Sequence, residues 1–223
     1  MPYLGKSPAR GLVGVNDIDD NAVTLAKMAG GTDGNLITYD ASGDPAAVAV
    51  GTSGHFLKSQ GAGSVPVFAA VSGGLVQTAY VLEGSTTTTT AALPIDTSVP
   101  QISEGGEIMT LAITPTSASN KLIIHVHANV ATSDTGGAAV AAALYQDSTA
   151  NALCVGHKES NGSNELNFIH FSFGMTAGTT SSTTFKVRGG YAVAVGTTTF
   201  NGQGGAVRGG GVYYSSIVIQ EVT

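Results

Sequence analysis

The sequence predicts an all-β protein in which a Gly-rich N-terminal region precedes an antiparallel, jelly-roll-like β-sandwich. Beyond residue 74, apolar runs alternate with turn clusters at roughly 8–15-residue spacing, as in sandwiches and barrels. No helix long enough for a parallel crossover separates these runs. Before residue 71, a unit of about twenty residues occurs twice. We therefore expect three parts: an anchoring arm (1–16), a short helix plus repeat region (17–74) and a sandwich (75–223).

Composition limits the class of protein. Of 223 residues, only 11% are charged and 31 are Gly, whereas 42% are hydrophobic and the net charge is −6. A disordered chain is less hydrophobic, and this composition suits close-packed β-structure whose surfaces face sister chains. The acidic balance argues against nucleic-acid binding. With no signal-peptide core and no run of about eighteen apolar residues, we expect neither classical secretion nor membrane insertion.

The first 16 residues are rich in Pro and Gly, which disfavour a helix or a long strand. Two interpretations stay open: a frayed tail, or an extended arm that lies in a groove on another protein. In the second case the anchoring residues are Tyr3, Leu4, Leu12 and Val13.

A short helix is predicted within residues 17–31. Asp19 or Asp20 caps it, and Gly30 and Gly31 end it. The Asp-rich start resembles a calcium loop, but Met28 stands where such a loop needs a bidentate Glu. Helix capping is therefore the favoured interpretation.

Residues 31–70 contain two copies of one unit, because GTDGNLITYDASGDPAAVAV and GTSGHFLKSQGAGSVPVFAA align without a gap. Each unit has too few apolar side chains to offset the backbone entropy of its residues, on the order of 20–40 kcal/mol. Further copies of the chain are the simplest partners, since Gly and Ala allow close approach. We expect a thin homo-oligomeric shaft. Its shared interior would contain Leu36, Ile37, Phe56, Leu57, Val67 and Phe68.

The sandwich region contains ten candidate strands. They are Leu75–Leu82, Thr88–Ile95, Ile108–Ile113, Lys121–Val130, Ala138–Tyr145, Ala152–His157, Leu166–Phe173, Thr183–Val187, Tyr191–Val195 and Gly211–Val222. In Lys121–Val130, alternate residues from Leu122 to Ala128 are apolar, which predicts one core-facing side. The last strand is apolar on both faces near its end, which predicts a central or interface strand.

Sequence motifs for catalysis are absent. The chain has no nucleophile elbow, no phosphate-binding loop and no zinc-protease helix, and the spacing of its acidic residues selects no pair for glycoside cleavage. We expect no enzyme activity and no cofactor. The lone Cys154, flanked by Leu153 and Val155, is expected to be a small buried hydrophobe.

The sequence offers one weak candidate for metal binding. His125 and His127 lie on one strand face, about 6–7 Å apart. If that face lay on a threefold axis, six imidazoles would converge in a way that suits octahedral iron or nickel. A pair without a third ligand or a carboxylate does not specify a metal, so we expect none.

Two long segments carry a family resemblance. The run DDNAVTLAKMAGGTDGNLITYDASGDPAAVAVGTSGHFLKSQGAGSVPVFAA resembles the shaft segments of tailed-bacteriophage fibre and receptor-binding proteins. The segments from IDTSVPQISEGGEIMTLAITPTSASNKLIIHVHANV to TTFKVRGG resemble the compact C-terminal β-domain often attached to such shafts, and MPYLGKSP is similar to the N-termini of phage virion proteins. The resemblance implies a homotrimer located in the virion, with the arm docked on other virion proteins, an intertwined shaft and β-sandwiches at the tip.

The function that this resemblance implies is host attachment through the tip loops, with a surface glycan as the expected receptor. Polar residues of exposed loops are the usual contacts with sugars. The candidates are Lys158, Glu159, Asn161 and Asn164 in the longest polar loop, with Tyr191 and Arg208. Two alternatives stay open: a capsid (head) fibre or decoration protein with a structural role, and a polysaccharide depolymerase.

Overall fold

The computed structural model describes residue 18 and residues 30–70, 73–133, 139–192 and 196–223. Contacts divide the chain into two units, residues 1–71 and 72–223. The predicted anchoring arm and residues 19–29, the body of the predicted helix, lie outside the described residues. The three-part assignment of roles stays a prediction.

Each sequence repeat in the first unit forms one antiparallel β-hairpin. β1 (Leu36–Tyr39) pairs with β2 (Pro45–Val48). β3 (Phe56–Lys58) pairs with β4 (Val67–Ala69).

The same turn precedes both hairpins. The backbone amide of Asn35 donates to the carbonyl three residues earlier at 3.2 Å, and the amide of His55 does the same at 3.0 Å. Gly34 and Gly54 occupy the third position of this turn with φ of +79° and +87°. A turn with positive φ at that position favours Gly, which explains why the residue recurs. The sequence repeat is therefore a structural repeat.

The apolar side chains of the hairpins are largely uncovered within one chain. Ile37 is 67% exposed, Phe56 62% and Leu57 51%. Leu36 and Val67 are also exposed, and Phe68 is half-buried. The six residues expected in a shared interior thus form no buried core in this unit.

The second unit contains twelve strands among the described residues. They are β5 (Leu75–Glu83), β6 (Thr87–Thr89), β7 (Gly106–Ile113), β8 (Lys121–Thr132), β9 (Ala139–Gln146), β10 (Cys154–Glu159), β11 (Leu166–Thr176), β12 (Thr183–Tyr191), β13 (Thr198–Phe200), β14 (Gly202–Gln203), β15 (Ala206–Val207) and β16 (Ser215–Val222). A short 3₁₀ turn covers Gly209–Gly211.

These strands form two main antiparallel sheets. The first sheet has the order β10-β9-β12-β7. In the second sheet, β16 lies between β5 and β8, as the apolar pattern on both of its faces predicted. β11 pairs with the other edge of β8, while β13 pairs with the end of β8 and with β6. The expectation of an all-β antiparallel sandwich is confirmed.

The main core fills the space between the two sheets. Leu122, Ile124 and Val126 of β8 are buried against residues such as Phe185 of β12 and Ile217 of β16. The alternation predicted for the Lys121–Val130 segment is thus confirmed. The apolar stripe of β8 faces this core.

The outer face of the first sheet is also covered along β9. Residues 91–102, which we call the covering segment, place Leu93, Ile95 and Ile102 over the alanines of β9. The amide of Leu93 donates to the carbonyl of Tyr191 at 2.9 Å. A side chain at Gly190 would collide with the carbonyl oxygen of Ala91, so the close approach depends on that glycine.

A buried carboxylate joins the end of β16 to its surroundings. Glu221 is fully buried and accepts hydrogen bonds from Gln77 Nε2 at 2.6 Å and Asn120 Nδ2 at 2.6 Å. The amide and hydroxyl of Thr116 donate to it at 2.9 and 2.8 Å, and the amide of Ser117 at 3.3 Å. Burial alone raises the pKa of Glu221, but the bonds from Gln77, Asn120 and Thr116 outweigh it and lower the pKa from 4.5 to about 2.

Several local predictions were wrong. The Thr88–Ile95 strand is reduced to β6, because the amide of Ala91 donates to Thr89 Oγ1 instead of to a neighbouring strand and the residues from 91 onwards form the covering segment. Tyr191 ends β12 instead of starting a strand, and residues 193–195 lie outside the described ones. The last strand begins at Ser215, after the 3₁₀ turn. Cys154 is only partly buried, since it lies on the edge strand β10.

We predict that Glu221→Gln lowers the free energy of unfolding by about 1–3 kcal/mol near neutral pH, because an amide cannot accept all of these bonds. A carboxylate whose pKa is depressed on folding stabilises the fold above its ordinary pKa of 4.5 and loses that contribution as the pH falls towards about 2. The difference between wild type and variant in urea unfolding should therefore shrink over that range. Glu159→Gln, at an exposed site, is the control, and an equal loss in both variants would contradict the assignment.

Candidate functional site

A polar cleft of about 490 Å³ opens where β8 ends. Its lining comes from β6, the end of β8, the β10–β11 loop, β13 and the β14–β15 turn. The lining residues are Thr88, Ser133, Asn164, Thr197, Thr199, Gly204 and Gly205. None of these side chains is ionisable. Hydroxyl, carboxamide and backbone groups therefore determine what this cleft can bind.

Hydrogen bonds between segments hold the cleft in shape. The backbone amide of Ser133 donates to the carbonyl oxygen of Thr197 at 3.0 Å, and the amide of Thr197 donates to the hydroxyl oxygen of Ser133 at 3.0 Å. The hydroxyl of Ser163 donates to the carbonyl of Ser133 at 2.9 Å. The amide of Gly205 donates to Thr199 Oγ1 at 3.0 Å. Each wall is thereby tied to its neighbour.

Among the described residues that line the cleft, Asn164 has a buried side-chain atom without a hydrogen-bond partner. Its backbone is left-handed (φ 59°), its amide donates to Thr132 O at 2.6 Å, and its Nδ2 donates to Ser163 Oγ at 3.2 Å. Its Oδ1 is buried and accepts no hydrogen bond from any described residue. A buried acceptor without a donor costs about 1–3 kcal/mol.

Of the six predicted receptor contacts, Asn164 alone lines the cleft. Lys158 and Glu159 end β10 and are exposed. Asn161 is exposed in the next loop, where its amide donates to Glu165 Oε2 at 2.7 Å. Tyr191 and Lys158 flank Val140 in one row of the first sheet, two strand spacings apart.

Arg208, the sixth predicted contact, is exposed immediately before the 3₁₀ turn. The strand register places Lys158, Glu159 and Tyr191 beside the start of β9, and the bond from Asn164 to Thr132 places Asn164 at the end of β8. Sequence reasoning missed the hydroxyl residues of the cleft, because Ser and Thr in turn clusters have the same pattern whether they line a site or face solvent.

The outer face of the second sheet is uncovered and rich in imidazoles. We call it the histidine face and define it by Tyr80, Leu82, His125, His127, Phe168, His170 and Ser172. Its apolar members are well exposed, Tyr80 at 67% and Leu82 at 60%. Uncovered apolar surface of this kind is typical of a protein contact.

His125 and His127 share this face, as their spacing predicted, but each has its own partner on β11. His125 Nδ1 lies 2.8 Å from Ser172 Oγ. His127 Nδ1 lies 3.0 Å from Nδ1 and 3.2 Å from Nε2 of His170. Burial lowers the pKa of His127, and the nearby His170 lowers it further against a smaller opposite effect of Asn129. A cleft of about 310 Å³ lies over these imidazoles.

In the described part of the chain, no group of three or more His, Cys, Asp and Glu side chains is arranged to hold a metal ion. Among the same residues, no helix has the length and apolar character needed to cross a bilayer.

No protein-family model and no curated protein matches the sequence. Among solved structures, Eiger TNF from S. frugiperda is 11% identical with a TM-score of 0.41, over 66% of this chain and 92% of that one. A structure of infectious bursal disease virus, Gx strain, is 12% identical with a TM-score of 0.33, over 71% of this chain and 42% of that one. The VP2 subviral particle of the same virus is 13% identical with a TM-score of 0.32. This chain spans less than half of those viral chains, and TM-scores this low carry no assignment of function.

We predict that Ser163→Ala loosens the β10–β11 loop without disturbing the core. The variant loses the hydrogen bond to Ser133 O and the acceptor for Asn164 Nδ2. We expect this loss to lower the local stability by about 1 kcal/mol, which corresponds to amide exchange that is roughly fivefold faster. Hydrogen exchange by mass spectrometry should show faster exchange over residues 160–165. Ser163→Thr keeps the hydroxyl and is the matched control. Equal protection in the two variants would refute the role given to this hydroxyl.

Proposed function

We propose that this protein is a homotrimeric bacteriophage virion fibre protein. Its N-terminal arm docks on other virion proteins, and its C-terminal sandwich binds a glycan on the host surface. The observation that carries the proposal is the exposure of the apolar side chains on both hairpins of the repeat. The resemblance of residues 19–70 to phage fibre shafts supports the same assignment.

The repeat supports self-association on energetic grounds. Two short hairpins expose Ile37, Phe56 and Leu57 to solvent, and burying such side chains contributes about 1.5–3 kcal/mol each. Sister chains supply an apolar surface of matching period, so each copy can cover the hairpins of the next. The histidine face adds a second uncovered surface, with Tyr80 and Leu82, in the sandwich unit.

The polar cleft supports glycan binding on chemical grounds. The described residues of its lining offer hydroxyls, backbone groups and the carboxamide of Asn164, and none of these side chains is ionisable. A neutral sugar presents hydroxyl groups that both donate and accept, which suits such a lining. One site of this kind binds weakly. Three per trimer, with several trimers per particle, would raise the avidity by about 10²–10⁴.

For self-association, we predict that the full-length protein is a trimer by sedimentation equilibrium and that Ile37→Asp with Phe56→Asp dissociates it. Charges in a shared apolar interior would be buried without partners. Ser42→Asp adds a charge to an exposed turn of the same hairpin and should leave the trimer intact. A monomeric wild type, or a double variant that is still trimeric, would contradict the shaft.

For glycan binding, we predict that Asn164→Gly weakens binding to neutral oligosaccharides on a glycan array at least tenfold. Gly adopts the left-handed backbone of this residue, so the fold is retained while the carboxamide is lost. Asn161→Gly changes an exposed residue of the same loop outside the cleft and should bind as wild type. Equal binding by the two variants would refute the site. A trimer that binds no host glycan would favour the alternative role in the capsid.

A further inference from the structure

The apolar side chains of the histidine face form one continuous patch. Four strands present their outward residues on this face, in the order β5, β16, β8 and β11. Tyr80, Leu82 and Phe168 lie in successive rows across the sheet and are 67%, 60% and 52% exposed within one chain. The patch therefore extends across the sheet from one edge strand to the other.

The same face is nearly free of charged side chains. On the described strands β5, β16, β8 and β11, Lys121 at the start of β8 is the one Lys or Arg. Their two carboxylates are turned away from the face, since Glu221 is buried and Glu83 pairs in register with the buried Ser215. Depletion of charged residues is typical of the core of a protein interface.

The outer face of the first sheet has the opposite character. Glu107 of β7 lies 3.9 Å from Lys186 and 3.6 Å from Arg188 of β12, and all three side chains are partly exposed. The chain carries a net charge of −6, so copies of it repel one another least where they meet through a face without carboxylates. The charge distribution thus favours the histidine face as the contact between copies.

The imidazoles of the face are compatible with such a contact. His125 Nδ1 lies 2.8 Å from Ser172 Oγ, and His127 Nδ1 lies 3.0 Å from Nδ1 of His170. One nitrogen of each ring therefore has a partner within its own chain. Burial of the face against a second copy leaves these nitrogens satisfied, as buried polar groups require.

The area of the face suits a contact between tethered chains. Four strands about 4.8 Å apart and about seven residues long, at about 3.4 Å per residue, cover about 450 Å² in projection. Shared between two neighbours, this area is smaller than the roughly 1,200 Å² at which specific interfaces of free proteins begin. The face therefore needs a partner that is already held nearby.

The repeat supplies that tether. The second copy of the repeat ends at Ala70, and β5, a strand of the histidine face, begins at Leu75. Five residues of chain span at most about 17 Å. Chains associated through their repeats thus keep the starts of their β5 strands close together, and a short linker raises the effective concentration of the sandwiches to the millimolar range.

We propose that the histidine face is the surface through which the three sandwiches of one trimer contact one another. Tyr80, Leu82 and Phe168 are buried there against the same face of the sister chains. The inference rests on the proposed trimer and assigns to it a second contact, in the sandwich, that forms only when the repeats are associated.

The test is hydroxyl-radical footprinting of the full-length protein, read by mass spectrometry. Tyr80 and Phe168 should be oxidised at least fivefold more slowly in wild type than in the Ile37→Asp, Phe56→Asp double variant, whose chains are separate. His157, exposed on β10 of the first sheet, is the internal control and should react equally in both proteins. Equal reaction of His157 also shows that the sandwich is folded alike in the two.

A single substitution tests the face while the repeat is left intact. Leu82→Lys puts one positive charge per chain into the contact, so Phe168 should be oxidised at least fivefold faster than in wild type. Leu82 is 60% exposed within one chain, and its replacement therefore spares the core. Val99→Lys changes a residue of the covering segment that is also well exposed, and it should leave the protection of Phe168 as in wild type.

The outcomes separate this inference from the proposed function. A trimeric wild type in which Tyr80 and Phe168 react as fast as in the double variant would overturn the contact and leave the shaft standing. Protection of both residues in a double variant that is still associated would support the contact and refute the shaft. A monomeric wild type with both residues reactive would overturn the two together.

Discussion

Both faces of β9 are buried, and this constraint determines which surface of the sandwich is left uncovered. One face packs into the core between the sheets, and the other lies beneath Leu93 and its neighbours in the covering segment. Alanines on β9 and the absence of a side chain at Gly190 allow that segment to approach closely. The first sheet is therefore covered on both sides along β9, whereas outward residues of its edge strands β7 and β10 are exposed. The histidine face of the second sheet receives no such cover, so its apolar and imidazole groups are available to partners.

The parts of the fold that were predictable from sequence are those in which a side-chain pattern reports burial directly. The alternation from Leu122 to Ala128 and the two-sided apolar end of β16 both specified correct positions in the sheets. The pattern predicts a strand over Thr88–Ile95, but residues 91–95 belong to the covering segment, because apolar residues have the same composition whether they pair in a sheet or pack over one. β13 was missed because Thr198 and Thr199 resemble turn residues, although they are buried beside β8.

The candidate sites were predictable only in part, for a reason of geometry. A polar loop is visible in sequence, so Asn164 was identified, but the hydroxyls around it come from three other segments of the chain. The histidine spacing on β8 was equally visible. The partner of His127 lies on β11, 43 residues away, and only the strand register brings the two imidazoles together. Local sequence patterns indicate which polar side chains are present, whereas the pairing of the strands determines which of these side chains lie next to each other.

The identical turns at Gly34 and Gly54 have a consequence for how this chain can vary. Because both hairpins begin with the same backbone turn and the same sequence period, unequal recombination between the two copies would add or remove one complete hairpin. The new junction would restore a turn that already exists in the chain.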